Sequence, residues 1–564
     1  MIANTGLSVT ARHGAPAELM GAELTGAGWA ALVSFRSRKS LLPILALPLL
    51  LGIAGCASDA GRTPGDIDAA LDRDMMVSGL GDIDNIYITK PRLSDLTLAG
   101  LQQLSSLDPA LKVEGDEDDL KLLWNDSLIE AEHIDDGNEA DAKKWGRAAA
   151  ELLKEARLKS PAVAEAGNEK VYETVFTGFI GKLDSFSRYS GADAAKEERA
   201  ARDGFGGIGV RISVEDDQVR ITSVMHYTPA ERLGLKRDDI ILEIDGDSVE
   251  GLTQQQVVNL LRGEVDSRVL LLVERESKDE PFEVSVKRAH VVPETVSYRR
   301  EGNVAYFRLF GFNSETANSL KREMKDAKAE IGKKLKGFIL DLRGNPGGLV
   351  PQSVAVANMF LEEGRIVSIH GRHPDSHQYF EASEGDVSDG KPVAVLIDGN
   401  SASAAEIVAA ALQDNGRAVL IGSNSYGKGT VQNIKTLPNQ GEIKLTWARF
   451  HAPSGYTLHH LGVLPTVCTS GKVSADTLLA ELQSGQLPQV PTMRRNAAKP
   501  DDTEALDALR RICPARRAED PVDLELALRL IDQPSLYASA VGLAQPPDAA
   551  QLDDAAEALL PFVP

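Results

Sequence analysis

The sequence predicts a multidomain α/β protein with a helical N-terminal region, a small β-rich domain, an α/β core and a helical C-terminal extension. Three observations carry this. Apolar residues recur at helical spacing in "DAKKWGRAAAELLKEARLKS" (141–160). Strand-like runs begin at "DGFGGIGVRISV", from residue 203. Strands and helices then alternate from about 291 to 470. A chain of 564 residues has room for several domains. Its 43% hydrophobic and 26% charged content is that of an ordinary globular protein.

Residues 1–56 read as a secretory signal. Arg36, Arg38 and Lys39 form a basic cluster, and Leu41 to Gly52 a short apolar run. The run is too short and too Pro-broken to span a bilayer comfortably. It closes on "IAGC", with small Ala54 and Gly55 before Cys56. That ending resembles a bacterial lipobox, whose cysteine is lipidated and becomes the mature N-terminus. A signal cut nearby, or an apolar anchor that is kept, is the alternative. With Cys56 lipidated, Cys468 and Cys513 remain in an oxidising compartment and are read as a disulfide, against the alternative of two free buried thiols.

Residues 57–202 begin with a polar tether, "ASDAGRTPGD", and continue mostly as helices. "GDEDD" at 115–119 reads as a solvated acidic turn. The net charge of −22, from 83 acids and 61 bases, excludes nucleic acid as the main partner, because phosphate needs a basic surface.

Within 203–290 the order is strand ("GVRISV"), strand ("QVRITSV"), short helix ("PAERLGL"), strand ("DIILEIDG"), helix ("TQQQVVNLLRG") and strand ("SRVLLLVERE"). This order, with "GIGV" before the first strand, resembles a PDZ domain. The resemblance implies that backbone N–H groups of Gly207, Ile208, Gly209 and Val210 hold the C-terminal carboxylate of a peptide. The peptide would add as a strand beside the first strand and the helix. Glycines at 207 and 209 remove side chains that would block several convergent N–H donors. Arg262, at the end of the helix, is either a solvated cation helped by the helix dipole or a sensor of the bound tail.

Residues 291–470 form the α/β core. "NVAYFRLFGF", "LKGFILDLRG", "PVAVLIDG" and "RAVLIG" read as strands. "SETANSLKREMKDAKAEIGKK" and "LVPQSVAVANMFL" read as helices between them. In "GNSASAAEIVAAALQDNG", Ser401 and Ser403 precede a helix with Glu406 in its first turn. Capping explains a serine there. It does not explain Lys428, set between two glycines in "YGKGTVQNI". In an extended segment Lys428, Thr430 and Gln432 share one face. A serine needs a base to become a nucleophile. A lysine serves only when neutral, so its ordinary pKa of about 10.4 must fall by roughly three units, which burial can achieve. No acid stands beside Lys428 in sequence, and Gln432 could orient its amine without adding charge.

"SASAAEIVAAALQDNGRAVLIGSNSYGKGTVQ", with "ILDLRGNPGGLV" upstream and a PDZ segment before it, resembles the C-terminal processing (tail-specific) peptidases. The likeness covers about 185–470. It departs at Ala405, where serine is frequent, and at "GVLPTV", where the family usually has Gly-x-x-Pro-Asp. It implies a Ser-Lys serine protease core with Ser403 as nucleophile, Lys428 as general base and Gln432 as the residue orienting the lysine. The oxyanion hole would be the N–H of Ala404 with that of Gly347 or Gly348. An acyl-enzyme, no metal and no organic cofactor follow from that chemistry.

His370, His373 and His377 lie within eight residues, but not at a common zinc spacing, and read as a surface or substrate-lining loop. His459 and His460 are expected to point apart in a strand. The sequence therefore predicts an endopeptidase facing the periplasm of a bacterial cell envelope, lipid-anchored, cleaving proteins whose free apolar C-terminal tails the PDZ domain captures. An adaptor or activator protein is a further expected partner. A non-catalytic PDZ scaffold on a protease-like fold is the alternative, and the joint presence of Ser403, Lys428 and Gln432 argues against it. The role of 471–564 is not legible beyond its helical pattern.

Overall fold

The computed structural model describes residues 69–135, 137, 141–383, 385–471, 474–487, 495–496, 498–499 and 501–544. Cys56 and the signal-like segment lie outside the described residues.

The N-terminal region packs helices α1 (Ala69–Ile86), α2 (Leu93–Gln102), α3 (Ala142–Lys159), α4 (Pro161–Glu165) and α5 (Gly167–Ile180) around Trp145, Tyr172, Phe176 and Phe179. It is not helical throughout. Strands β1 (Leu111–Gly115), β2 (Asp119–Trp124) and β3 (Ser127–His133) form an antiparallel sheet. Alternation in "LKVEG" buries Leu111 and Val113 and exposes Lys112 and Glu114. Asn125 and Asp126, both at positive φ, make the two-residue turn between β2 and β3. "GDEDD" is the preceding turn. Leu120 and Leu122 alternate with exposed Lys121 in the same way, so the period of two is present in the sequence, and the reading of this region as mostly helical passes over it.

A linker of β4 (Arg188–Ser190) and α6 (Ala192–Asp203) leads to the PDZ-like unit. That unit holds β5 (Phe205–Gly207), β6 (Val210–Glu215), β7 (Gln218–Val224), α7 (Pro229–Arg232), β8 (Ile240–Ile244), β9 (Asp247–Ser248), α8 (Gln254–Leu261), β10 (Arg268–Glu274), β11 (Phe282–Lys287) and β12 (Ala289–Val291). Its sheet runs β11-β10-β8-β7-β6, and β12 pairs with β5 where the chain enters and leaves.

The core sheet is built from β13 (Val296–Glu301), β14 (Val304–Leu309), β15 (Gly337–Asp341), β18 (Val393–Ile397), β19 (Val419–Gly422) and β22 (Val467–Cys468), in that spatial order. All pairs but β13–β14 are parallel. One face is covered by α9 (Thr316–Ile331), α10 (Val350–Asn358) and α11 (Ala404–Asp414), which pack on Ala305, Phe307, Leu340 and Val395. The alternate residues Val304, Tyr306, Ile339 and Leu396 face the other way. They are covered by α12 (Ala475–Ser484), α14 (Pro521–Ile531) and α15 (Pro534–Gly542), while α13 (Thr503–Arg510) joins the first face through Leu506 and Leu509. Residues beyond 470 thus complete the core. "GFILD" and "VAVLI" are buried at every position, the mark of strands covered on both faces.

A second, antiparallel sheet has the order β17-β16-β21-β20, from β16 (Arg365–Gly371), β17 (Gln378–Glu381), β20 (Thr430–Thr436) and β21 (Glu442–His451). Linker strand β4 pairs with β21. Helix α6 docks on the same strand, where Arg199 and Arg202 both bond the buried carboxylate of Glu442. Cys468 and Cys513 form a disulfide, with Cα atoms 5.8 Å apart, that ties β22 to the C-terminal segment.

Leu530 is fully buried against the second face of the sheet. Leu530→Ala should lower the unfolding free energy of the core by about 2–5 kcal/mol, read by denaturant titration. An unchanged midpoint would mean that the layer is dispensable.

Candidate active site

Three loops at the carboxyl ends of adjacent parallel strands meet here, the place where such sheets bind ligands. The loop after β15 carries Gly347 and Gly348. The turn after β18 carries Ser401 and Ser403. The segment after β19 carries Lys428.

Ser401 is fully buried, and its hydroxyl donates to Leu342 O at 2.8 Å and accepts from Asp398 N at 2.9 Å. It fastens the turn to β15. Ser403 precedes α11 with φ 55° and ψ −113°. A positive φ costs a serine of the order of 1–3 kcal/mol, so the surrounding contacts must impose it. Its N–H donates to Glu406 Oε2 at 2.7 Å.

Glu406 is the group the sequence reading passed over. It is fully buried. Besides Ser403 N–H, its carboxylate accepts Lys428 N–H at 3.0 Å, Gly427 N–H at 2.7 Å and the Ser425 hydroxyl at 2.5 Å. Burial pushes this carboxyl above its usual range, and the four donors oppose that shift. Since every partner donates, the arrangement suits the ionised, acceptor-only form. The absence of a sequence neighbour hid an acid that the fold brings to Lys428.

Lys428 lies just before β20. Burial pushes its amine below the usual lysine range, and the nearby Arg188 adds to this, against the opposing pull of Glu406 and Asp184. Its Nζ sits 5.5 Å from the centre of the Phe186 ring. Among the described residues, no hydrogen bond links Lys428 Nζ to Ser403 or to Gln432. The Gln432 amide donates instead to Thr430 Oγ1 (3.2 Å) and Thr446 Oγ1 (3.3 Å). A bulge opposite Val431 and Gln432 puts the extra residue, Trp447, on β21, so Thr430 and Gln432 keep one face of β20 and meet. Thr446 in turn donates to Asp184, which also caps the backbone of Phe186 and Ser187. The linker "DSFSR" therefore walls the lysine site, a placement no local pattern could announce.

His459 and His460 do not point apart. They lie in a loop with ring centres 3.9 Å apart, and His459 faces Phe186. Burial, with His460 beside it, pushes His459 down to about 4, so it is neutral at pH 7. His370 packs 5.5 Å from His377 and 5.6 Å from His451, on the second sheet.

The two glycines divide their work. Gly347 N–H donates to Asn345 Oδ1 at 2.9 Å. Gly348 N–H and Ala404 N–H donate to no acceptor among the described residues. Gly347 has φ +100°, and a Cβ there would stand 2.8 Å from Ser403 Cβ and 2.7 Å from Ala402 O. A residue with any side chain would push the serine away.

In the PDZ-like unit, a groove of about 400 Å³ runs between β6 and α8, lined by Ile208, Val210, Ile212, Met225, Val258 and Leu261. Ile208 and Gly209 N–H at its end have no acceptor among the described residues. Gly207 belongs to β5. Arg262 is partly exposed and paired. It lies 4.2 Å above the Phe205 ring and donates to Glu197 of α6 at 2.8 Å. It thus joins the groove to the linker.

Two family models match the chain. The model of peptidase family S41 matches residues 303–469, and that of the PDZ domain residues 199–274. The carboxy-terminal-processing protease of Bartonella bacilliformis is 36% identical over 342 residues, 60% of this chain and 78% of the relative. The carboxy-terminal processing protease CtpA of Bacillus subtilis is 33% identical over 316 residues, 55% of this chain and 66% of the relative. A solved photosystem II D1 C-terminal processing protease aligns at 22% identity and a TM-score of 0.36, over 70% of this chain and 92% of its own.

Gly347→Ala should cut the rate at which a serine-directed phosphonate labels Ser403 by about a hundredfold, the scale of a lost preorganised site. Tail binding in the groove between β6 and α8 should be unchanged. Labelling at the parent rate would show that the close approach at Gly347 does not matter.

Proposed function

The chain belongs to peptidase family S41, and from that premise we propose that it is a serine endopeptidase that cuts proteins near their C-terminus by a Ser-Lys mechanism. The observation that carries the reading is the shared carboxylate of Glu406, which fixes the backbones of Ser403 and Lys428 to one point. The PDZ groove receives the apolar tail as an added strand, its carboxylate on the N–H groups of Ile208 and Gly209.

Ser403 Oγ attacks the scissile carbonyl and passes its proton to neutral Lys428 Nζ. The oxyanion is held by Gly348 N–H and Ala404 N–H. Collapse breaks the C–N bond, and Lys428 returns the proton to the departing amine. Water, deprotonated by Lys428, then hydrolyses the ester on Ser403. Gln432, its NH2 held by Thr430 and Thr446, orients the amine when its amide oxygen is turned to Lys428 Nζ, a contact not made in the resting arrangement. Arg262, bonded to Glu197, is suited to report tail binding to the linker. The signal-like residues 1–56, the lipobox-like Cys56 and the Cys468–Cys513 bond support a lipid-anchored protein of the bacterial envelope, facing the periplasm. An adaptor that delivers substrates is part of the same reading.

The test is incubation with an unstructured protein ending in an apolar tail, with fragments read by mass spectrometry. Ser403→Ala and Lys428→Ala should each lower cleavage by about a thousandfold or more. Equal cleavage by all three would remove the assignment. Because the reactive lysine is neutral, kcat/KM should rise from acidic toward mildly alkaline pH, with its midpoint below the ordinary lysine range, as burial requires. A flat profile from about pH 5 to 9, with chemistry limiting, would exclude lysine as base.

A further inference from the structure

The segment Arg510–Arg517, beyond the matched family region, reaches both catalytic loops from behind. Arg510 ends α13. Its guanidinium donates to Leu461 O at 2.8 Å, His460 O at 3.3 Å and Ser425 O at 3.4 Å. Ser425 is the residue whose hydroxyl bonds Glu406, and His460 N–H donates to Gly427 O at 2.9 Å. The fit is close on the other side too. A Cβ on Gly427, which has φ +91°, would stand 3.2 Å from Arg510 Nη1. Further along, Arg516 O accepts Gly399 N–H at 2.7 Å, and Arg516 N–H donates to Ser423 Oγ at 2.9 Å. Arg517 O accepts from the Asn400 amide at 2.9 Å.

One short segment therefore holds the turn that carries Ser403 and the loop that carries Lys428. It is itself fastened twice. Cys513 is bonded to Cys468 of β22. Arg516 donates to the fully buried Asp523, which also accepts from Arg343 and Thr469.

We propose that Arg510 is a positioning residue for the Ser403–Lys428 pair, and that the disulfide holds it in place. The inference rests on the Ser-Lys reading above. A planar guanidinium fixes three carbonyls at once, which a flexible ammonium cannot reproduce. Without it, the loop beneath Lys428 loses its support, and a misplacement of about 1 Å can cost a reaction roughly a hundredfold.

The experiment uses the full chain and an unstructured protein with an apolar tail, and measures kcat, KM, tail-peptide binding and the thermal transition. Arg510→Ala should lower kcat about tenfold or more, with KM and tail binding within about twofold, and Arg510→Lys should recover only part of the loss. Dithiothreitol breaks the S–S bond, placing two electrons and two protons on the sulfurs of Cys468 and Cys513 and becoming a cyclic disulfide itself. That treatment should lower kcat about threefold or more without moving KM, and reoxidation should restore it. A folded Arg510→Ala chain with parent kcat overturns the proposal, as does a loss confined to KM. If Arg510→Ala does not fold, the reduced parent decides. Unchanged kcat there overturns the proposal, and so does a loss that accompanies loss of the thermal transition, since the segment would then hold the fold and not the site. A parent no more active than Ser403→Ala contradicts the peptidase reading itself, which is a different failure from a parent that cleaves and an Arg510→Ala that cleaves equally.

Discussion

Four donors converge on the buried carboxylate of Glu406, and two of them are the backbone N–H groups of Ser403 and Lys428. The contact is strong because it is dry and charge-assisted, and it is costly to break because it would leave a carboxylate and four donors without partners. It explains how a serine is kept at positive φ. It also explains how a lysine can be held close to an acid without forming an ion pair with it. The carboxylate takes the lysine's backbone N–H, and the side-chain amine is left to the apolar wall of Phe186. Burial can then favour the neutral amine even though Glu406 opposes it.

That constraint needs a rigid frame, and the doubly covered parallel sheet supplies it. The loops after β15, β18 and β19 leave adjacent strands at one edge, so their separations follow from strand spacing and not from loop length. The C-terminal helices α12, α14 and α15 cover the face of this frame that the helices between the strands leave open. Asp523 of α14 accepts from Arg343 in the "DLRG" run, immediately before the glycine-bearing loop. The linker from the N-terminal region closes the opposite side through Asp184 and Thr446. Parts of the chain some hundreds of residues apart thus converge on a few side chains.

The sequence made the local parts legible. A buried strand, a tight turn, a serine before a helix and a lysine between glycines are patterns within about ten residues, and the fold keeps each of them. What escaped is non-local or masked. The β1–β3 sheet was overlooked although Leu111, Val113, Leu120 and Leu122 alternate with charged residues, because its strands are short and lie among helices. Glu406 read as an ordinary first-turn acid, since its partner lies 22 positions away. The wall formed by Asp184 and Phe186, and the buttress formed by Arg510, depend on tertiary packing alone. The division between Gly347, bonded to Asn345, and Gly348, whose N–H has no acceptor among the described residues, could not be read from two adjacent identical letters. The role of the C-terminal helices was partly recoverable, because "GFILD" and "VAVLI" are apolar on both faces and therefore require a second covering layer.

The most direct measurement of the central claim is the mass of the intact chain quenched in acid during turnover of a tailed substrate, followed by peptide mapping. The account predicts a covalent adduct equal to the N-terminal fragment of the substrate, attached through an ester at Ser403. An adduct on Ser401 or on any other residue would contradict it, and so would the absence of any adduct under conditions where a burst of product shows that deacylation is slow.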